Sequence, residues 1–161
     1  MSADKLNLIA KKLCEKPKGI LAADESTNTI KKRFDSINVE SNFEMRRAYR
    51  ELLFKTPNLK NFISGVILFD ETIRQEDSEK TSLAKYLLDN DIIPGIKVDT
   101  GAIHLEKNSQ EKLTEGLDGL GKRLEEYKSL GASFTKWRAI ITIDNESNMP
   151  SDYCIAVSYT H

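Results

Sequence analysis

Residues 19–24 read Gly19-Ile-Leu-Ala-Ala-Asp24, a short apolar run without alternation of polar and apolar positions and with an acid at its end. A strand without alternation is typical of a parallel sheet that is covered on both faces. This stretch therefore predicts a buried parallel strand whose last residue, Asp24, is charged.

Three further stretches follow the same pattern, at residues 63–70, 92–99 and 134–141. Helical spacing of apolar residues precedes the first strand and fills the gaps, at residues 3–14, 28–37, 41–55, 82–90 and about 117–127. Strands that alternate with helices predict an α/β protein with a parallel sheet and right-handed crossovers. Two architectures fit: a small open doubly wound sheet, or part of a (β/α)8 barrel, which needs about 250 residues.

The composition excludes several classes of function. The 161 residues suit one domain, and 24 basic against 25 acidic side chains give a net charge of -1, so no basic field would attract nucleic acid or a membrane. No apolar run is long enough for a membrane span, and no signal-peptide core is recognisable. Cys14 and Cys154 are far apart and show no metal-ligand spacing. We therefore expect reduced thiols, a cytoplasmic location and no metal.

Charged residues lie at the carboxyl ends of the predicted strands, where α/β proteins place their active sites. Lys97 and Asp99 are two residues apart, as are Lys136 and Arg138, so each pair is expected on one face of its strand. Charges in apolar strands are costly unless they pair or line a polar pocket. The pattern favours a functional pocket over its alternative, a structural lattice of ion pairs inside a barrel.

The segment after the first strand, Asp24-Glu-Ser-Thr-Asn-Thr29, offers hydroxyl groups and backbone N–H groups at the start of a helix. Such a helix end suits a phosphate, and Lys97 would add a cation if it faces the same cleft. The same residue types also serve as ordinary helix N-caps, so the segment alone leaves both interpretations open.

Five strings occur in order: Gly19-Ile-Leu-Ala-Ala-Asp-Glu-Ser-Thr27, Gly65-Val-Ile-Leu-Phe69, Gly95-Ile-Lys-Val-Asp99, Gly116-Leu-Asp-Gly-Leu120 and Lys136-Trp-Arg138. Their sequence and spacing resemble those of class I (Schiff-base) fructose-bisphosphate aldolase. The resemblance runs from about residue 5 to about residue 157. It implies a (β/α)8 TIM barrel that cleaves fructose 1,6-bisphosphate into dihydroxyacetone phosphate and glyceraldehyde 3-phosphate through an iminium on a lysine, without a metal or cofactor.

The resemblance also implies roles for particular residues. Asp24 corresponds to the acid that handles the C4 hydroxyl proton, and Lys136 to the lysine beside the Schiff base that helps to form and dehydrate the carbinolamine. The implied binding residues for the C6 phosphate and the surrounding cleft are Ser26, Thr29, Arg33, Lys97 and Arg138. Asp118 falls in a stretch that the family uses at a subunit contact of its homotetramer.

The sequence departs from the family pattern mainly in length. Only the first four βα units are expected within residues 1–157, followed by a divergent tail at 158–161. The Schiff-base lysine, expected on the sixth strand, has no counterpart in these residues, so we expect the chain alone to be inactive. Two alternatives remain: a non-catalytic sugar-phosphate-binding or regulatory fragment, and an open flavodoxin-like domain in which Asp24, Asp70 and Asp99 bind a cation.

Overall fold

The computed structural model describes residues 2–107, 109–143, 146 and 150–160. They divide into two compact units, the first comprising the chain up to residue 97 together with residues 121–136, and the second comprising residues 98–120 and those after 136. The strands are β1 (Gly19–Ala23), β2 (Ile63–Leu68), β3 (Ile93–Lys97), β4 (Gly101–His104), β5 (Lys112–Glu115) and β6 (Phe134–Lys136). The helices are α1 (Ala3–Leu13), α2 (Thr27–Asp35), α3 (Phe43–Phe54), α4 (Asp70–Ile73), α5 (Leu83–Asp89), α6 (Leu120–Ser129) and α7 (Asp152–Thr160).

The first unit is built on a parallel sheet in the order β1-β2-β3-β6. Each strand therefore lies beside the strand that precedes it in that sheet, without the reversal of order that marks a doubly wound fold. The predicted parallel α/β sheet is confirmed, and its sequential order favours the barrel over the open doubly wound alternative.

The two faces of this sheet differ in burial. One face carries Val66, Leu68 and Ile96, all fully buried. Residues on the opposite face include Ile20, whose exposed fraction is 44%, and the half-buried Phe134. This second face is also the one on which the charged strand ends described below project.

All four predicted strands end earlier than expected, β1 by one residue and β2 by two. β3 ends at Lys97 and β6 ends at Lys136, although the sequence prediction continued them to residues 99 and 141. The hydrogen-bonded register between these strands runs only from Gly95 and Phe134 to Lys97 and Lys136. Apolar residues follow both positions in the sequence and made the predicted strands too long, but they form no strand hydrogen bonds between β3 and β6.

Helix α3 is capped by a side chain and buries an arginine. Its N-cap is Asn42, whose side chain accepts a hydrogen bond from the Met45 amide at 2.9 Å. Its buried residues are Arg50 and Phe54. An arginine therefore occupies the side of the helix that faces the core.

The second unit contains an antiparallel hairpin of β4 and β5, which the sequence reading missed. Gly116 follows the hairpin with φ of +127°, and a Cβ there would lie 2.9 Å from the carbonyl oxygen of Val98. Only glycine fits such a close approach with a positive φ. Helix α7 was also missed, and of the proposed tail at 158–161, His161 lies outside the described residues. Within the described part of the chain, no helix has the length and apolar character needed to span a membrane.

Candidate active site

The charged residues at the ends of the parallel strands lie at one level of the sheet. Ala23 pairs with Leu68, Leu68 pairs with Ile96, and Lys97 pairs with Lys136 in the Cα register. Asp24 directly follows Ala23 and therefore falls in the same row as the two lysines. Residues at paired positions of a parallel sheet project from the same face, so Asp24, Lys97 and Lys136 project from one face of the sheet.

Asp24 and Lys136 meet in this row. The Lys136 Nζ donates a hydrogen bond to the Asp24 carboxylate at 2.5 Å, and the exposed side-chain fractions are 10% for the acid and 31% for the lysine. β1 and β6 are the two edges of the four-stranded sheet, about 14 Å apart if the sheet were flat. That separation is too great for the two side chains to span, so the sheet must curl toward this face, as it does in a barrel.

The segment after β1 provides hydroxyl groups at the start of α2. Ser26 is the N-cap of this helix, but its side chain makes no capping hydrogen bond and its Oγ instead lies 3.0 Å from the Thr29 Oγ1. The first-turn amides of α2 therefore do not receive the usual side-chain cap from Ser26. The side-chain cap expected of an ordinary N-cap serine is therefore not made, and the phosphate cradle stays a prediction.

Glu25 lies between Asp24 and Ser26 and binds two arginines. One carboxylate oxygen accepts a hydrogen bond from Arg33 and the other from Arg50. Burial acts to raise the pKa of Glu25, but the hydrogen bond and charge of Arg50, assisted by Arg33, outweigh it and lower the pKa below its ordinary value. Arg33 is therefore already paired with a carboxylate, and its place in the cleft stays a prediction.

Several other sequence expectations need correction. Because β6 ends at Lys136, Arg138 lies beyond the strand in the second unit, where its backbone carbonyl accepts a hydrogen bond from Thr114 Oγ1 at 2.9 Å. The alternation that placed Arg138 on the same strand face as Lys136 is therefore wrong. Lys97 and Asp99 likewise do not lie on one face of a strand by alternation, since β3 ends at Lys97.

The cation-binding alternative receives no support. Asp70 begins α4 and its carboxylate accepts hydrogen bonds from Arg74 at 2.9 Å and from the Tyr127 hydroxyl at 2.9 Å. Among the residues that the structure describes, no group of three or more histidine, cysteine, aspartate or glutamate side chains could hold a metal ion. Asp70 is thus engaged in a structural network of the first unit.

Glu25 and Arg50 are site residues that were not predicted from the sequence. A charged residue at position 50 of an amphipathic helix was the available signal, since it falls four residues before Phe54 on the buried side. The pairing itself was not readable, because the two residues are 25 positions apart and no local spacing rule joins them.

A curled parallel sheet with an aspartate and two lysines at the carboxyl ends of its strands defines a barrel-type α/β protein with an acid and amine site. The family profile for fructose-bisphosphate aldolase class-I matches residues 5–159. The chain belongs to the class I fructose-bisphosphate aldolase family.

Individual relatives agree with this assignment. A probable fructose-bisphosphate aldolase class 1 of Xanthomonas campestris is 54% identical over 155 residues, covering 96% of this chain and 46% of the relative. A fructose-bisphosphate aldolase of Plasmodium falciparum is 49% identical over 153 residues, covering 95% and 42%. A solved structure of the Plasmodium falciparum aldolase, in a ternary complex with TRAP and a small-molecule inhibitor, superposes with a TM-score of 0.90 at 48% identity, covering 96% of this chain and 46% of that one. The chain spans about half the length of the relatives that it matches.

Proposed function

We propose that these 161 residues form the N-terminal half of a (β/α)8 fructose-bisphosphate aldolase, comprising its first four βα units. In the complete family fold the reaction is the reversible cleavage of fructose 1,6-bisphosphate into dihydroxyacetone phosphate and glyceraldehyde 3-phosphate. The observation that carries this proposal is the contact of Asp24 with Lys136 at the carboxyl ends of the strands, in a chain that belongs to the family.

The acid has a defined task in this chemistry. When the bond between C3 and C4 breaks, its electron pair moves into the iminium at C2, the C4 hydroxyl becomes a carbonyl, and the hydroxyl proton needs an acceptor. The Asp24 carboxylate is mostly buried at the strand ends and would accept that proton as a general base.

Lys136 serves the steps before cleavage. Formation of the imine begins with attack of the Schiff-base lysine on the C2 carbonyl, and the carbinolamine must then lose water. The Lys136 ammonium would give a proton to the departing hydroxyl, while its positive charge favours the neutral, nucleophilic form of the neighbouring amine. The hydrogen bond from Lys136 to Asp24 keeps both groups at one point of the cleft.

The C6 phosphate would bind beside this pair. Ser26 and Thr29 offer hydroxyl groups at the N-terminus of α2, and Lys97 shares its register position with Lys136. Arg33 and Arg138 are proposed cleft residues on the family resemblance alone. We also infer cytoplasmic location and a family-type homotetramer, with Asp118 near a subunit contact and with no nucleic acid or membrane partner.

The Schiff-base lysine has no proposed counterpart within these 161 residues, so the chain alone should not turn over substrate. The test is a coupled cleavage assay together with borohydride reduction in the presence of dihydroxyacetone phosphate, followed by peptide mapping. We expect no turnover and no stable adduct. Turnover at the level of a full-length aldolase that is lost in Asp24→Ala would overturn this expectation, and a reduced adduct mapped to a lysine would show which residue forms the imine.

A second candidate function is sugar-phosphate binding without catalysis. It is favoured by the position of Ser26, Thr29 and Lys97, which are all supplied by the first unit. A monophosphate held by one helix end and one lysine should bind with a dissociation constant on the order of millimolar. NMR titration should show weaker binding for Lys97→Met and unchanged binding for the control Lys107→Met. Equal affinity in Lys97→Met and the parent would remove Lys97 from the phosphate site.

A further inference from the structure

A buried ion pair lies directly behind the proposed active-site segment. Arg50 projects from α3 with an exposed side-chain fraction of 2%, and its partner Glu25 has an exposed fraction of 9%. Glu25 separates Asp24, the proposed general base, from Ser26, a proposed phosphate ligand. Whatever fixes Glu25 therefore also fixes the residues on both sides of it.

Arg50 holds both the side chain and the backbone of Glu25. Its Nη1 donates to the carboxylate, and its Nη2 donates to the Glu25 backbone carbonyl oxygen at 3.0 Å. A side-chain contact alone would leave the peptide groups free to rotate. The second hydrogen bond restrains the peptide that links Glu25 to Ser26.

Arg50 is itself held in place by aromatic packing. Its guanidinium lies 5.4 Å from the centre of the Tyr49 ring, and that ring meets Phe34 of α2 edge-on at a centroid distance of 5.7 Å. Phe34 and Arg50 are both buried. The arginine thus ties the segment after β1 to α3, while the packing beside it ties α3 to α2.

Stability alone is a weak reason for such a pair. Removing two charges from water is costly, and apolar side chains of similar volume commonly stabilise a core as well or better. Burial of an arginine is informative when its donors fix a particular geometry, because the guanidinium holds its donors in a rigid planar arrangement.

We propose that Arg50 and Glu25 are positioning residues of the active site, which hold Asp24 toward Lys136 and Ser26 and Thr29 toward the phosphate. The proposal rests on the proposed function for the roles of those groups. The restraint itself is a property of this chain and can be measured without catalysis.

Three variants test the proposal. The double variant Glu25→Gln with Arg50→Met removes both charges, so neither partner is left buried and ionised. Arg50→Lys retains the positive charge but lacks the planar group that contacts the carboxylate and the carbonyl together. Arg47→Met is the matched control, because Arg47 is on the same helix but binds Glu44 and Glu51 instead.

Three measurements are made on the full 161-residue chain: inorganic phosphate affinity by NMR titration, amide hydrogen exchange over residues 25–29, and the NMR signal of the Lys136 ammonium. In the double variant we expect phosphate affinity to fall roughly fivefold or more and amide exchange to accelerate roughly tenfold. The ammonium signal should move because the Asp24 contact loosens. Arg50→Lys should change in the same direction to a smaller extent, and Arg47→Met should match the parent.

The outcomes separate the two proposals. A folded double variant, or a folded Arg50→Lys if the double does not fold, with parental exchange and a parental Lys136 signal would overturn the positioning role. If the parent binds no phosphate, the proposed phosphate site fails, whereas exchange and the ammonium signal still decide whether Arg50 and Glu25 hold the segment. A lower melting temperature with unchanged amide hydrogen exchange and an unchanged Lys136 signal would also overturn the positioning role, because it would indicate a purely structural ion pair.

Discussion

Gly95 offers a sharp test of how the sheet places Lys136. A Cβ added at this position would lie 2.3 Å from the nearest Phe134 ring carbon, whereas ordinary contact begins at 3.4 Å. The ring must therefore move by about 1 Å, and Phe134 belongs to the three-residue strand that ends in Lys136. Overpacking of this kind costs about 1–3 kcal/mol, so Gly95→Ala should reduce the folding equilibrium constant by about 5–150-fold.

The matched control is Gly19→Ala, because a Cβ at Gly19 meets nothing within 4 Å. It should be neutral or slightly stabilising, since alanine restricts the unfolded chain. Urea unfolding, followed by the fluorescence of the single tryptophan and by circular dichroism, measures both variants. Phe134→Leu placed on Gly95→Ala should recover part of the loss, as a double-mutant cycle would show. Equal midpoints for Gly95→Ala and Gly19→Ala would refute the close packing of Phe134 on β3.

Three further predictions concern charge and assembly. Hydrogen bonds from Ser78, with Lys55 and Arg47, lower the pKa of Glu51 from 4.5 to about 2, so its contribution is complete above pH 4.5 and is lost as pH falls toward 2. Glu51→Gln should therefore flatten the acid limb of a stability profile measured by urea unfolding. Lys136→Met should lower stability by roughly 1–3 kcal/mol in the same assay, because it leaves a mostly buried carboxylate without its ammonium. The sheet face that carries Ile20 is partly exposed, and β1 and β6 are unpaired edges, so the isolated chain should self-associate. Sedimentation should show less association for Ile20→Lys.

The parallel sheet was predictable because each of its strands is marked by the same feature of the sequence, a short apolar run. The continuous apolar runs that begin at residues 19, 63, 92 and 134 predicted parallel strands, but the expected coverage of both faces is wrong for the face that carries Ile20, which is 44% exposed. Their ends were less predictable, because residues 139–141 are as apolar as a strand but form no ladder with β3. Strand length depends on whether a partner is present, which a single sequence does not state.

Some residues of the candidate site could also be predicted from the sequence, and others could not. Asp24 stood out as a charge at the end of an apolar run and Lys136 as a charge inside a predicted strand, and the two lie in contact. Arg50 gave only a weak signal, since an arginine on a helix is usually solvated and its burial depends on a carboxylate 25 residues away. Arg138 was misplaced because strand alternation was applied beyond the end of β6.

The hydrogen bond between Asp24 and Lys136 has a consequence for the order of folding. It joins residues 112 positions apart, on the first and last strands of the sheet, so the whole intervening loop must close before the contact can form. Contacts of such high sequence separation slow folding, because the chain loses loop-closure entropy before the contacts begin to stabilise the fold. During synthesis, residue 136 must leave the ribosome before Lys136 can bind Asp24. This contact should therefore form after β1, β2 and β3 have already paired.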